Sequence, residues 1–230
     1  MNTIVITGSS RGVGYSTCQT FLNKGWRVIG ISRTEGESKN LLKFKDFHFY
    51  SVDLCNPQSV RKSFLKIYKD HKKIDVLINS AAIFESIRFL DQSFDKIDKI
   101  IDTNLKGVIY STRCVIEGMI SQKSGKIINV SSVSGCHGIE NQAVYSSTKH
   151  ALTGFADSLN QEVIRHGVQV VTICPGGIDT PLWNKRNPYH GDKSRLLTPE
   201  DISSLISFIV DQPDRVVFKS IVLYPDNEIH

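Results

Sequence analysis

Short β-branched runs alternate along this chain with longer stretches whose apolar residues recur every three or four positions. The strand candidates are TIVIT from Thr3, RVIGIS from Arg27, FHFYSV from Phe47, DVLIN from Asp75, KIINVS from Lys126, VQVVTIC from Val168 and SIVLY from Ser220. Each is apolar almost throughout rather than alternating, which is what a sheet covered on both faces requires. Helical periodicity covers about 13–24, 57–71, 93–122, 143–166 and 199–210, and Asn56-Pro57 and Thr198-Pro199 mark two helix starts. No internal repeat or low-complexity linker interrupts the rhythm. The pattern predicts an α/β fold: one domain over 1–230, a doubly wound parallel sheet of about seven strands with helices on both faces. Ligands of such sheets sit beyond the carboxyl ends of the strands, so the loops there should carry the chemistry.

Composition narrows the picture. At 230 residues with 40% hydrophobic content, the chain is long enough for one sizeable core, and it has no apolar run near the roughly 18–20 residues of a membrane span. No charged stretch followed by an apolar one precedes the first strand, so a cytoplasmic location without a membrane partner is expected. The net charge of +5 is modest, and the densest basic run, Arg61 to Lys73, places Phe64, Leu65, Ile67 and Tyr68 between its lysines. That run reads as a solvated helix face rather than a nucleic-acid patch. Five scattered cysteines (Cys18, Cys55, Cys114, Cys136, Cys174) form no C-x-x-C pair. They predict neither a disulfide framework nor a metal site, and most read as small core residues.

TGSSRGVG, Thr7 to Gly14, follows the first strand directly. Glycines there let the chain turn sharply into a helix and let its backbone approach something bulky. A pyrophosphate suits both needs, because its charge complements the unpaired N–H groups of the helix start. Taken alone, the trio Gly8, Gly12, Gly14 is equally a plain strand-to-helix turn. At the end of the second strand Ser32 and Arg33 stand where an acid would bond the ribose of NAD. Arg33, with Arg11 in the glycine loop, favours a 2′-phosphate and therefore NADP(H) over NAD(H). Glu35 and Glu37 lie close enough to reach a ribose instead, and Arg33 also reads as an ordinary solvated arginine.

YSSTK, Tyr145 to Lys149, opens a long helical segment, so the phenol and the ammonium share one helix face. A free tyrosine titrates near ~10, and a nearby cation lowers that value toward the range useful for general acid and base work.

On these residues the chain resembles the short-chain dehydrogenase/reductases, from residue 3 to about 181. TGSSRGVG resembles that family's T-G-x-x-x-G-x-G loop and YSSTK its Y-x-x-x-K. Ser132 in INVSSVSG lies thirteen residues before Tyr145, and Asn104 in IIDTNLKG twenty-eight before Ser132. The resemblance implies a Rossmann-like fold and a catalytic tetrad of Asn104, Ser132, Tyr145 and Lys149. Tyr145 would pass a proton to a carbonyl oxygen that Ser132 also hydrogen-bonds. Lys149 would bind the nicotinamide ribose, and Asn104 would hold a helix bulge and a water. For the cofactor it implies contacts from Gly8, Ser10, Arg11, Gly12, Val13, Gly14, Arg33, Asp53, Leu54, Asn79, Ala81, Tyr145, Lys149, Pro175, Gly176, Ile178 and Thr180. A homodimer or homotetramer is implied as well.

The expected activity is NADP(H)-dependent hydride transfer to or from a small carbonyl or alcohol substrate. A non-catalytic dinucleotide-binding regulator with the same fold is the alternative. Three departures carry further expectations. NSAA, Asn79 to Ala82, stands where the family has N-N-A-G, so Ala82 adds a methyl beside the adenosine ribose at a cost of about 1 kcal/mol if a positive φ is required there. The substrate flap, about 181–198, is short and basic, which suits a small or anionic carbonyl compound. The final stretch, SIVLYPDNEIH, lacks the family's closing glycines. Ser131 should turn away from the site, and His137 and His150 read as solvent-facing or packed. Trp183 and Tyr189 read equally as pocket-lining and as helix-packing residues.

Overall fold

The computed structural model describes residues 1–185 and 187–228; Arg186 of the basic flap stretch lies outside them, as do Ile229 and His230. Seven parallel strands form one sheet: β1 Thr3–Thr7, β2 Arg27–Ser32, β3 Phe47–Ser51, β4 Val76–Asn79, β5 Gly125–Val130, β6 Val168–Pro175 and β7 Ser220–Leu223. Their spatial order is β3-β2-β1-β4-β5-β6-β7. The chain winds outward from β1 to β3, then returns to start again at β4 beside β1. This reversal splays the loops after β1 and β4 apart and leaves a crevice at their carboxyl ends.

Among the described residues six α-helices cover the sheet: α1 Gly12–Asn23, α2 Pro57–His71, α3 Phe94–Ile101, α4 Gly107–Gln122, α5 Ala143–Val163 and α6 Pro199–Asp211. Successive strand residues face opposite layers. Ile4 and Ile6 pack with Cys18 and Phe21 of α1 and Ile202 and Ile206 of α6. Val5, between them, joins Phe64 of α2, Val115 of α4 and Ala156 of α5 on the other side. Both faces of the inner strands are therefore covered, which is why their sequences run apolar with few interruptions; all eight residues of β6 are buried. Lys126 is a charged interruption on β5, and it is buried. Its buried Nζ donates to the carbonyls of Ile209, Val210 and Gln212 at 3.3, 3.0 and 2.6 Å, capping the C-terminal end of α6 with a positive charge.

Helix starts follow the local signals. The Asn56 side chain accepts from Ser59 N at 3.0 Å ahead of Pro57. Thr198 and Asp201 form a reciprocal capping box ahead of α6. Two features depart from the expected pattern. The segment 93–122 is two helices joined by a π-turn at Asp102–Lys106, and Gly36–Leu41 winds as a 3-10 helix. Of the cysteines, Cys18 and Cys174 are buried, Cys55 and Cys114 are half-buried and Cys136 is exposed, so the core expectation fits two of the five. No helix among the described residues is long and apolar enough to cross a membrane.

Candidate active site

The crevice at the switch point is a cleft of about 930 Å³, within the size range of small-molecule sites. Its first wall is the loop between β1 and α1. Gly8 holds φ +73°, and a Cβ there would stand 2.7 Å from Ala81 Cα, so the loop touches the end of β4 backbone to backbone. Thr7 secures the junction from the other side, its hydroxyl accepting from Ser80 N and Ala81 N. No side chain caps the start of α1. The first N–H groups of that helix are thus left to an anionic ligand, and the loop fits a dinucleotide pyrophosphate.

Gly8, Ser10, Arg11, Gly12 and Val13 line this end of the cleft, with Arg33, Asp53, Leu54 and Ala81. Pro175, Gly176, Ile178 and Thr180 line the far end. Gly14 and Asn79 do not. Gly14 packs against Gly8 O, where a Cβ would come within 2.3 Å. Asn79 is buried and turns inward, its Nδ2 donating to Thr112 Oγ1 at 3.2 Å and Asn129 Oδ1 at 2.9 Å. Glu37 lines the cleft and Glu35 does not, so one of the two acids considered for the ribose is in reach. The cost expected at Ala82 does not arise, because Ala82 is not among the residues with positive φ.

Tyr145 and Lys149, one turn apart on α5, face the cleft together with Ser132 from the end of β5. They are 8% and 2% exposed. Lys149 Nζ lies 5.5 Å from the centre of the Tyr145 ring and donates to Val130 O at 2.9 Å. Burial pushes the Tyr145 phenol up to about 12, only partly opposed by its hydrogen bond with Ser132. Burial likewise pushes the Lys149 ammonium down to about 8. The phenol thus stands above its ordinary value rather than below it, because its own desolvation dominates and the lowering influence on it is the Ser132 hydrogen bond. Ser132 Oγ also accepts from Ser134 N at 3.1 Å, which fixes the turn after β5. Ser131 Oγ is held away from this chemistry by donating to Lys149 O at 3.1 Å.

Asn104 does not reach the cleft. It is fully buried in the π-turn, where Oδ1 accepts from Ile83 N and Nδ2 donates to Ile83 O, both at 2.8 Å. It therefore fastens the loop after β4 to the helix layer behind Tyr145.

The flap end carries residues that the sequence reading left open or missed. Phe84, Trp183 and Tyr189 all line the cleft, in a row of edge-to-face rings that begins at Tyr145. His137 also lines it, whereas His150 sits on α5 against Ser146 O. Lys185, Lys193 and Arg195 of the basic flap do not line it, and Arg195 pairs with Asp226 at 2.8 Å. The charge of these described flap residues thus gives no reason to expect an anionic substrate. Tyr224 and Glu228, from the final stretch, line this end too. No motif signals them, because only the folding back of the tail brings them there.

Residues 2–190 match the sequence profile described as short chain dehydrogenase. An uncharacterized oxidoreductase of Staphylococcus haemolyticus is 28% identical over 224 residues, which cover 96% of this chain and 96% of that one. The closed form of a serine dehydrogenase complexed with NADP+ is 25% identical and superposes with a TM-score of 0.89, covering 99% of this chain and 96% of that one. ElxO with NADP bound, also 25% identical, gives a TM-score of 0.87 over 97% and 96% of the two chains. A profile that spans most of the sequence, together with a switch-point cleft carrying Ser132, Tyr145 and Lys149, establishes that this chain is an oxidoreductase belonging to the short chain dehydrogenase family.

Proposed function

We propose that the protein is an NADP(H)-dependent oxidoreductase that interconverts a carbonyl group and a secondary alcohol, with Tyr145 as the general acid and base. The observation that carries this reading is the meeting of a buried phenol, a serine hydroxyl and a buried lysine at the middle of one dinucleotide-sized cleft. Bound NADPH would supply the hydride. The protein's own residues do the rest. With its phenol pushed up to about 12, Tyr145 holds its proton at neutral pH and can release it from Oη to a substrate oxygen as negative charge develops there. Ser132 offers a second donor to that oxygen, already fixed by the turn it caps. Lys149, one turn along α5 and facing the same cleft, would bind the nicotinamide ribose. Asn104 keeps the π-turn and the loop after β4 in register behind Tyr145.

Arg11 and Arg33 at the adenosine end support NADP(H) over NAD(H), as do the NADP-bound relatives. In this reading the chain acts as one unit with 181–198 as its substrate flap. It works in the cytoplasm as a homodimer or homotetramer, without nucleic-acid or membrane partners.

The test follows NADPH oxidation over a panel of carbonyl compounds in the wild type and Tyr145→Phe. Turnover should fall by about 100-fold or more in the variant. Undiminished turnover would remove Tyr145 from its role. NADPH binding without turnover of any carbonyl compound would favour the regulator instead.

A further inference from the structure

The described residues after β7, 224–228, do not trail into solvent. Gly176 N donates to Leu223 O at 2.8 Å, Pro225 is buried, and Glu228 N closes a turn on Pro225 O at 3.0 Å. Asp226 meets Arg195 of the flap. The tail is thereby folded back over the loop after β6, and it delivers one carboxylate into the cleft.

Glu228 Oε2 accepts from Gly177 N at 2.8 Å, and Oε1 accepts from the Tyr189 hydroxyl at 3.0 Å. The loop leaves room for this group. A Cβ on Gly176 would stand 2.6 Å from Oε2, and one on Gly177 would stand 2.6 Å from Oε1. The two donors use about half of the lone-pair positions of a carboxylate, so the group can still accept from a ligand. Its surroundings narrow the kind of ligand. Tyr189 is the last ring of the row that runs through Trp183 and Phe84 to Tyr145, so carboxylate and reaction centre mark the two ends of one aromatic wall. The other acids on the cleft, Glu37 and Asp53, belong to the adenosine end, and the described basic residues of the flap stay outside it.

We infer that Glu228 determines specificity by binding a protonated amine on the substrate, so that the preferred substrates are carbonyl compounds, or their alcohols, that carry a cationic group. This inference rests on the proposed oxidoreductase reading. An ammonium or a substituted ammonium ion meets both halves of the site, since the carboxylate takes its N–H groups and the ring faces attract its charge. A substrate carboxylate would meet Glu228 with like charge in a partly desolvated cleft and is disfavoured.

A structural role for Glu228, as a latch between flap and tail, makes a different prediction, and two variants separate the roles. Glu228→Gln removes the charge and keeps one acceptor, for Gly177 N, while its amide N–H replaces the oxygen facing Tyr189, whose hydroxyl can accept from it instead. Tyr189→Phe removes the flap bond and keeps the charge. With NADPH, kcat/KM is measured for three matched ketones whose end group is a primary ammonium, a hydroxyl or a carboxylate. The wild type should prefer the ammonium ketone over the hydroxyl ketone by about tenfold or more, with the carboxylate last. Glu228→Gln should shrink that preference to about twofold while still reducing the hydroxyl ketone, and Tyr189→Phe should retain it. Equal kcat/KM for the ammonium and hydroxyl ketones in the wild type would overturn the inference while leaving the oxidoreductase reading intact. Equal loss of preference in both variants would overturn it in favour of the latch. If no ketone is reduced, the reaction itself is refuted, and calorimetric titration of the same compounds into the NADPH-loaded protein decides about Glu228. Ammonium-selective binding that Glu228→Gln abolishes would uphold the inference; unselective binding would overturn it.

Discussion

Lys149 reaches to within 5.5 Å of the centre of the Tyr145 ring, yet the acceptor of its ammonium is Val130 O, at 2.9 Å. The cation is buried without a carboxylate partner, and burial is the main reason it is pushed down to about 8. A group arranged in this way costs stability, and the cost has a measurable pH signature.

Below pH 8, Lys149 is protonated in both folded and unfolded chains, and the folded state bears the full desolvation cost, on the order of 3 kcal/mol. Between about 8 and its ordinary value of 10.5 the folded chain gives up the proton while the unfolded chain keeps it. Stability contributed at this site therefore rises with pH across that window. Lys149→Met lacks the titration. The difference in unfolding free energy, wild type minus variant, should climb between pH 8 and 10.5 in denaturant melts. A flat difference would show that the ammonium is not held as a buried, unpaired charge. Above pH 10 the raised phenol of Tyr145 acts in the opposite sense, because the folded state then holds a proton that the unfolded chain releases. It does so in both proteins and largely cancels from the comparison.

Arg33 and Arg11 stand at one end of the cleft. If both reach a 2′-phosphate, Arg33→Ala should raise the KM for NADPH by about tenfold and change that for NADH by about twofold or less, with kcat little altered. The double variant with Arg11→Ala should lose less than the product of the two single effects, since both cations would share one phosphate. Steady-state kinetics with the two cofactors decide it. Equal losses for NADPH and NADH would show that the arginines act through loop structure rather than by reading the phosphate.

The strands were legible because layers on both faces of the inner strands leave few polar positions, such as Lys126, Asn129 and Gln169, and Asn56-Pro57 and Thr198-Pro199 mark helix starts with local chemistry. The π-turn at Asp102–Lys106 was not legible from periodicity, since one additional residue in a turn barely disturbs a repeat of three to four, but the family resemblance implied a helix bulge at Asn104, and the π-turn lies there. Within the site, residues fixed by local geometry, such as Gly8, Tyr145 and Lys149, could be read from their spacing. Asn79 could not, because its direction depends on Thr112 and Asn129, which arrive from other elements. Glu228 depends on contacts with Gly177 and Tyr189, 51 and 39 residues away, and no local pattern encodes them.

Gly8 and Gly154 provide a paired test of the backbone argument. Gly8→Ala would place a methyl 2.7 Å from Ala81 Cα at a φ of +73°. It should cost about 2–5 kcal/mol in denaturant melts, combining left-handed strain with overpacking, and it should weaken NADPH binding. A Cβ at Gly154, on the exposed side of α5, meets nothing within 4 Å. Gly154→Ala should stabilise the protein by roughly 0.5–1 kcal/mol through helix propensity alone. A Gly8→Ala protein as stable as the wild type would mean that the loop after β1 and the end of β4 can separate freely.

Asn104 makes the last prediction, which divides structure from chemistry. Its amide accepts from Ile83 N and donates to Ile83 O, so a single side chain replaces both partners of one backbone unit. Alanine at this position would leave two half-buried backbone groups without their partner and should destabilise the fold by about 1–3 kcal/mol. Asn104→Asp keeps the acceptor for Ile83 N but loses the donor to Ile83 O and brings a carboxylate into a fully buried site. At neutral pH it should also be destabilised, and lowering the pH should recover part of the loss as the carboxyl takes up a proton and can donate again. The alanine variant has no such group and should show no recovery. Because Asn104 does not line the cleft, NADPH affinity in the folded fraction should change much less than turnover, as the loop carrying Ile83 and Phe84 shifts against Tyr145. A large fall in NADPH affinity with turnover per bound cofactor unchanged would place Asn104 with the cofactor rather than behind the tyrosine.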